Sequence, residues 1–189
     1  SMAATDNPWF EVLSTPQGKS TENIETYFSV QGKMLSEASG GKIEGVFAET
    51  RVVNDALSSS VDIAGMAAAI SKFGEIRRTP NLNLLNADEM YQKHDYCFEI
   101  RSEAYRFRLL TLEFGPLYPV TMHVDDGVYM EFARPSGRFA LSKEKRPRPL
   151  IIKDDDDLDT VFKLLLSSKK LNYICNRLMT EVKEDADGE

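Results

Sequence analysis

The spacing of apolar residues changes near the middle of the chain, and this change limits the fold more than any other feature. Tyr96, Phe98 and Ile100 alternate with Cys97, Glu99 and Arg101. After Ser102-Glu103, Tyr105, Phe107 and Leu109 alternate with Arg106 and Arg108. A period of two is that of a strand with one buried face. A two-residue turn at Ser102-Glu103 pairs Ile100 with Tyr105 and Phe98 with Phe107, and sets Glu99 opposite Arg106. Past Leu109 the parity flips to Leu110, Leu112 and Phe114, which predicts a bulge or a strand buried on both faces.

On either side of this region the period is near 3.6. Pro8 opens a short helix behind Asn7. Ile24, Tyr27, Phe28, Met34 and Leu35 mark a second helix, ended by Ser39-Gly40-Gly41. The stretch from Lys42 to Val53 reads as strand or loop. Ile63, Met66, Ala67, Ile70 and Phe73 share one face of a helix over 59–73, closed by Gly74. Near the C-terminus, Leu158, Val161, Phe162 and Leu165 form one stripe. Leu171, Ile174, Cys175, Leu178, Met179 and Val182 form another, slightly out of phase. This predicts two helices, or one kinked at 167–170. The order is that of an α+β domain: N-terminal helices, an antiparallel meander of about four strands, and a C-terminal helix or kinked helix pair packed on one sheet face. The 189 residues are expected to form one domain with flexible ends at 1–6 and 183–189. Ser1 reads as a protease scar before Met2, and no signal peptide is visible.

The stretch from Met122 to Phe132 carries the residues most suggestive of chemistry: His123, Asp125, Asp126, Tyr129 and Glu131. A three-residue loop at Asp125-Asp126-Gly127 pairs Val124 with Val128, Met122 with Met130 and Val120 with Phe132, all apolar on one side. The aspartates are then turn residues. His123 lies opposite Tyr129, and Thr121 opposite Glu131. His123 as a general base with Glu131 and Tyr129 is the catalytic candidate, with Asp125 as another partner for the base. Neighbouring polar residues of this kind also belong on an exposed strand face.

The run Asp154 to Asp157 precedes an apolar-periodic segment, so it reads as a helix start that offsets the dipole. No metal site is expected from two histidines, His94 and His123, and no cofactor fingerprint occurs. Nucleophile-elbow, dinucleotide and zinc-protease motifs are likewise missing. Cys97 and Cys175 form no C-x-x-C pair, which points to a reducing cytoplasm, and no apolar run is long enough to span a membrane.

A formal net charge of −7 gives no global attraction to nucleic acid or anionic membranes. Against that background Arg134, Arg138, Lys143, Lys145, Arg146 and Arg148 stand beside a single Glu144. They predict an exposed, mobile, self-repelling loop over 134–148 that meets an anionic partner. The layout is similar, at the level of fold alone, to many small acidic bacterial or phage proteins that bind and block another protein. The expectation is therefore a non-catalytic protein-binding module of the inhibitor, immunity or adaptor type. The alternatives are a small enzyme with a dispersed site around His123, or a nucleic-acid-associated protein using the 134–148 loop.

Overall fold

A computed structural model describes residues 8–14, 18–58 and 92–184. Among these residues, five antiparallel strands lie side by side in chain order: β1 (Glu44–Glu49), β2 (His94–Arg101), β3 (Arg106–Phe114), β4 (Val120–Val124) and β5 (Leu150–Ile152). The described helices are α1 (Pro8–Ser14), α2 (Ile24–Ala38), α3 (Thr50–Ser58), α4 (Asp126–Phe132), α5 (Asp155–Leu165) and α6 (Lys169–Glu184). The α+β class and the C-terminal helix pair agree with the sequence reading. The meander gains a fifth strand because the ambiguous segment after Lys42 pairs with β2 before turning into α3. The helix expected over 59–73 lies outside the described residues.

The β2–β3 register differs from the expected one. Arg101 pairs with Arg106, Ile100 with Phe107 and Glu99 with Arg108, so the loop holds four residues rather than two. Ser102 closes it by donating its N–H to the Tyr105 carbonyl at 2.8 Å. Both registers keep apolar residues on one face, so parity alone does not separate them. The bulge lies where the parity flips. Phe98 pairs with Leu110, leaving Leu109 as the extra residue, and both leucines are buried.

Tyr96, Phe98, Ile100, Leu110, Leu112, Phe114, Val120, Met122, Val124, Leu150 and Ile152 form the sheet side of the main core. Each such side chain contributes about 1.5–3 kcal/mol by leaving water. Helix α2 supplies Ile24, Phe28 and Gly32, one turn apart. Phe28 stacks on Phe47 at 4.6 Å and meets Phe98 and Phe162 at 5.4 Å. The end of α2 is set by Gly40 and Gly41, both with positive φ. The Gly41 N–H reaches back to the Ser36 carbonyl at 2.8 Å. On the other sheet face α3 places Val53 against Ala48 and Cys97.

The hairpin expected around Asp125–Gly127 is not formed. Strand β4 ends at Val124, and Asp125 caps a helix instead. Its carboxylate accepts the Val128 N–H at 3.1 Å, and its carbonyl accepts the Tyr129 N–H at 2.9 Å. Val128 and Tyr129 are buried in succession, a helical pattern, while Met130 is exposed. The partner that 128–132 was expected to supply for β4 is β5, which pairs Val120 with Ile152 and Met122 with Leu150. The Lys170 side chain lies over Gly127, 2.7 Å from where a Cβ would stand. Among the described residues no helix is long and apolar enough to cross a membrane.

Candidate binding site

The catalytic candidates are not brought together. His123 is exposed on the sheet face opposite the main core, and its cross-strand neighbour is Thr111. Tyr129 is buried in that core, and its hydroxyl donates to the Ala140 carbonyl at 2.8 Å. Glu131 caps α6. Its carboxylate accepts the Ser168 hydroxyl, the Lys169 N–H at 2.7 Å and the Lys170 N–H at 3.3 Å. The hydrogen bond from Ser168, followed by those from the two backbone amides, holds its pKa below the usual carboxylate value. Asp125 adds an ion pair to Lys170 at 2.6 Å. Asp125 and Glu131 therefore tie α4 to the start of α6.

The aspartate run is also committed to structure. Asp154 caps α5 by accepting the Asp157 N–H at 2.8 Å, and it pairs with Lys19. Asp155 accepts the Tyr118 hydroxyl at 2.6 Å and the Asn23 amide at 3.1 Å. A cleft of about 440 Å³ lies over these groups, lined in part by Lys19, Asn23, Tyr118 and Asp154–Asp156. Among the described residues no three histidine, cysteine or acidic groups are placed to hold a metal ion.

The basic segment divides into two parts with different roles. Arg134 and Ala140 form an isolated bridge, and the Arg134 guanidinium donates to the neighbouring Ala133 carbonyl. Arg138 is a structural cation. It grips both oxygens of the buried Asp157, at 2.7 and 2.6 Å, and donates to the Ile151 carbonyl at 3.1 Å. Asp157 accepts the Lys153 N–H as well.

Removing Arg138 leaves that carboxylate underpaired. Arg138→Ala should cost about 2 kcal/mol, reduced from a fully buried pair because the guanidinium is partly exposed. The Arg138 hydrogen bonds are the largest cause of a lowered Asp157 pKa, ahead of its opposing desolvation. A carboxyl whose pKa is lowered by folding stabilises the fold above its ordinary value of 3.8, and that stabilisation is lost as pH falls below it. The parent should therefore lose more stability between about pH 5 and pH 2 than the Arg138→Ala protein, as measured by urea unfolding.

The second part, expected to avoid itself, folds into a tight turn. Ser142 accepts the Lys145 N–H at its carbonyl, donates its own N–H to the Arg146 carbonyl, both at 2.9 Å, and accepts the Arg146 N–H at its hydroxyl. Lys145 takes the left-handed conformation, φ 59°, the one non-glycine among the described residues with positive φ. Lys143, Lys145, Arg146 and Arg148 are exposed, and none has an ion-pair partner among the described residues. Three cations are thus held on one ordered turn, and Arg148 follows it two residues on. Ser142 was not singled out from the sequence, although a serine opening a four-residue turn is a recognisable signal.

The comparisons supply no relative: no protein family model, curated protein or solved structure matches this chain.

Proposed function

We propose that this chain is a non-catalytic protein-binding module, of the inhibitor, immunity or adaptor type, that receives an acidic protein surface on the basic turn 142–148. The observation that carries this reading is Lys145. A left-handed residue costs roughly 1–2 kcal/mol unless it is glycine, and a lysine there adds a third exposed cation to the turn beside Lys143 and Arg146. Backbone strain at a surface position is retained where the side chain is needed. The turn is also already formed, so a partner need not order it on binding. A protein is favoured over nucleic acid because the rest of the molecule is acidic and a polyanion would be repelled by it. Two free thiols, Cys97 buried and Cys175 partly buried, support a reducing cytoplasm as the place of action.

The test separates a functional cation from a structural one. Lys145→Gly should raise stability by about 0.5–1 kcal/mol, because glycine adopts this conformation freely. It should weaken partner binding at the same time. Changing Lys143, Lys145, Arg146 and Arg148 together to Ser should move stability by no more than about 0.5 kcal/mol. It should abolish capture of the partner retained from native lysate by the parent, and that capture should weaken as salt rises. Arg138 is left intact in this variant because it holds Asp157. A partner retained equally by parent and quadruple variant would place the interface elsewhere. Capture that disappears after nuclease treatment would favour the nucleic-acid reading instead.

A further inference from the structure

The basic turn is built around a hydroxyl. Ser142 is half-buried, and its backbone closes the turn from both sides through Lys145 and Arg146. Its hydroxyl oxygen accepts the Arg146 N–H at 3.1 Å. A serine hydroxyl has one hydrogen to donate and two lone pairs to offer. Among the described residues that hydrogen meets no acceptor, so the oxygen is fixed by one contact and its O–H is not engaged elsewhere in the fold. The charge beside it has one dominant sign. Lys143, Lys145, Arg146 and Arg148 stand one, three, four and six residues on, all exposed, and Glu144 is the single carboxylate. Four cations against one carboxylate leave +3 over residues 142–148. The three residues before Ser142, Phe139-Ala140-Leu141, carry no charge.

The other serine of the basic segment, Ser136, is placed differently. It stands between Arg134 and Arg138, and Arg138 is committed to both oxygens of Asp157. A new anion at Ser136 would compete with Asp157 for that guanidinium and weaken the fold. At Ser142 the neighbouring cations hold no carboxylate, so a new anion there takes nothing from the structure.

We infer that Ser142 is a phosphorylation site, and that its phosphate closes the basic turn to the acidic partner. The inference rests on the reading of that turn as the binding surface and supplies its regulation. The Ser142 Oγ attacks the γ-phosphorus of a nucleoside triphosphate. An Oγ–P bond forms, the bond from that phosphorus to the β–γ bridging oxygen breaks, and the nucleoside diphosphate leaves. The hydroxyl proton passes to the base of the kinase. The ester oxygen keeps a lone pair for the Arg146 N–H. The phosphate brings about −2 at neutral pH, which takes the turn from +3 to about +1. Its oxygens form charge-assisted hydrogen bonds with the lysine and arginine side chains beside it. Being tethered, it outcompetes a carboxylate that has to arrive from solution. A kinase that acts on Ser142 needs acidic groups where it receives 143–148, the chemistry the partner also offers. Kinase and partner therefore compete for one surface, and a bound partner protects Ser142.

The test installs phosphoserine at position 142 of the full chain during translation, with phosphoserine at the exposed Ser29 as the control. The probe is an oligoglutamate peptide. The parent and the protein phosphorylated at Ser29 should bind it alike, and more weakly as salt rises. Phosphate at Ser142 should weaken that binding roughly tenfold or more, since it removes about two of three net positive charges. Phosphorus NMR should show the phosphate at 142 losing its second proton at lower pH than the one at 29, because neighbouring cations favour the dianion. That difference should vanish when Lys143, Lys145, Arg146 and Arg148 are changed to Ser. The parent incubated in native lysate with ATP labelled at the γ-phosphate should gain label at Ser142, and added oligoglutamate should slow the labelling. Equal binding with and without phosphate at 142, equal titration at the two positions, or no label at Ser142 would each overturn the inference. A parent that does not bind the probe would sink the reading of the turn as a binding surface together with its switch. Binding that survives phosphorylation would sink the switch alone.

Discussion

Gly32→Ala should destabilise the protein by about 3 kcal/mol and lower its melting temperature by roughly 10 °C. The Cβ of an alanine at this position would sit 2.2 Å from the Gly45 carbonyl oxygen and 2.9 Å from its carbon. Both are backbone atoms in a paired strand, so they cannot swing aside as a flexible side chain would. Helix α2 has to lift from β1, and Phe28, one turn earlier, has to follow. Phe28 joins α2 to Phe47, Phe98 and Phe162, so the movement loosens aromatic contacts on β1, β2 and α5 together. Alanine gains about 1 kcal/mol of helix propensity over glycine, which reduces the loss without reversing it. Ser29→Ala on the exposed part of the same helix is the control and should leave stability within about 0.5 kcal/mol. Thermal unfolding of the two variants measures the difference, and a Gly32→Ala protein that melts with the parent would refute the close crossing.

Glu99→Ala should cost about 3–5 kcal/mol, the range for breaking a buried ion pair from one side. Glu99 is 2% exposed and serves several cations. One oxygen accepts Arg101 Nη2 at 2.8 Å and Nε at 3.2 Å, and the other accepts Arg108 Nε at 3.2 Å. Arg106 stands 3.7 Å away. Arg106 and Arg108 are about one-third exposed and can turn toward water once the carboxylate is gone, whereas the Arg101 side chain is 10% exposed and cannot. The main cost is therefore an uncompensated guanidinium at Arg101. A double variant separates this from the loss of packing. Glu99→Leu with Arg101→Met removes both buried charges and should be more stable than Glu99→Leu alone. Urea unfolding of the set gives the coupling energy. If Glu99→Ala lies within 1 kcal/mol of the parent, as an exposed pair would, the carboxylate does not hold this hairpin.

The register of that hairpin shows how far the sequence can be read. Alternation identified which face of β2 and β3 joins the main core, and it placed Glu99 among arginines; it did not show that the opposite face of β2, with Cys97, Glu99 and Arg101, is buried as well. The expected neighbour was Arg106, and the observed one is Arg108. Two-residue slips preserve parity, so the choice fell to the Ser102–Tyr105 closure and to the number of guanidiniums that reach one carboxylate. Similarly, composition located the basic segment but could not divide it. Asp157 lies 19 residues beyond Arg138, and only folding brings the two together.

Some features are determined by the chain alone because their causes are local. The change of period sets the order of helices and sheet. Gly40 and Gly41 end α2 because a left-handed exit suits glycine, and Asp154 starts α5 because its carboxylate accepts an amide three residues on. The stretch from Val120 to Phe132 is different, because its alternation suits a second strand as well as its Asp125 cap suits a helix. The choice was made by groups distant in sequence. Leu150–Ile152 occupies the edge that the hairpin would have filled, Lys170 pairs with Asp125, and the start of α6 takes the Glu131 carboxylate. Local propensities differ by less than the free energy of those contacts, so the tertiary structure decided where the strand ended and the helix began.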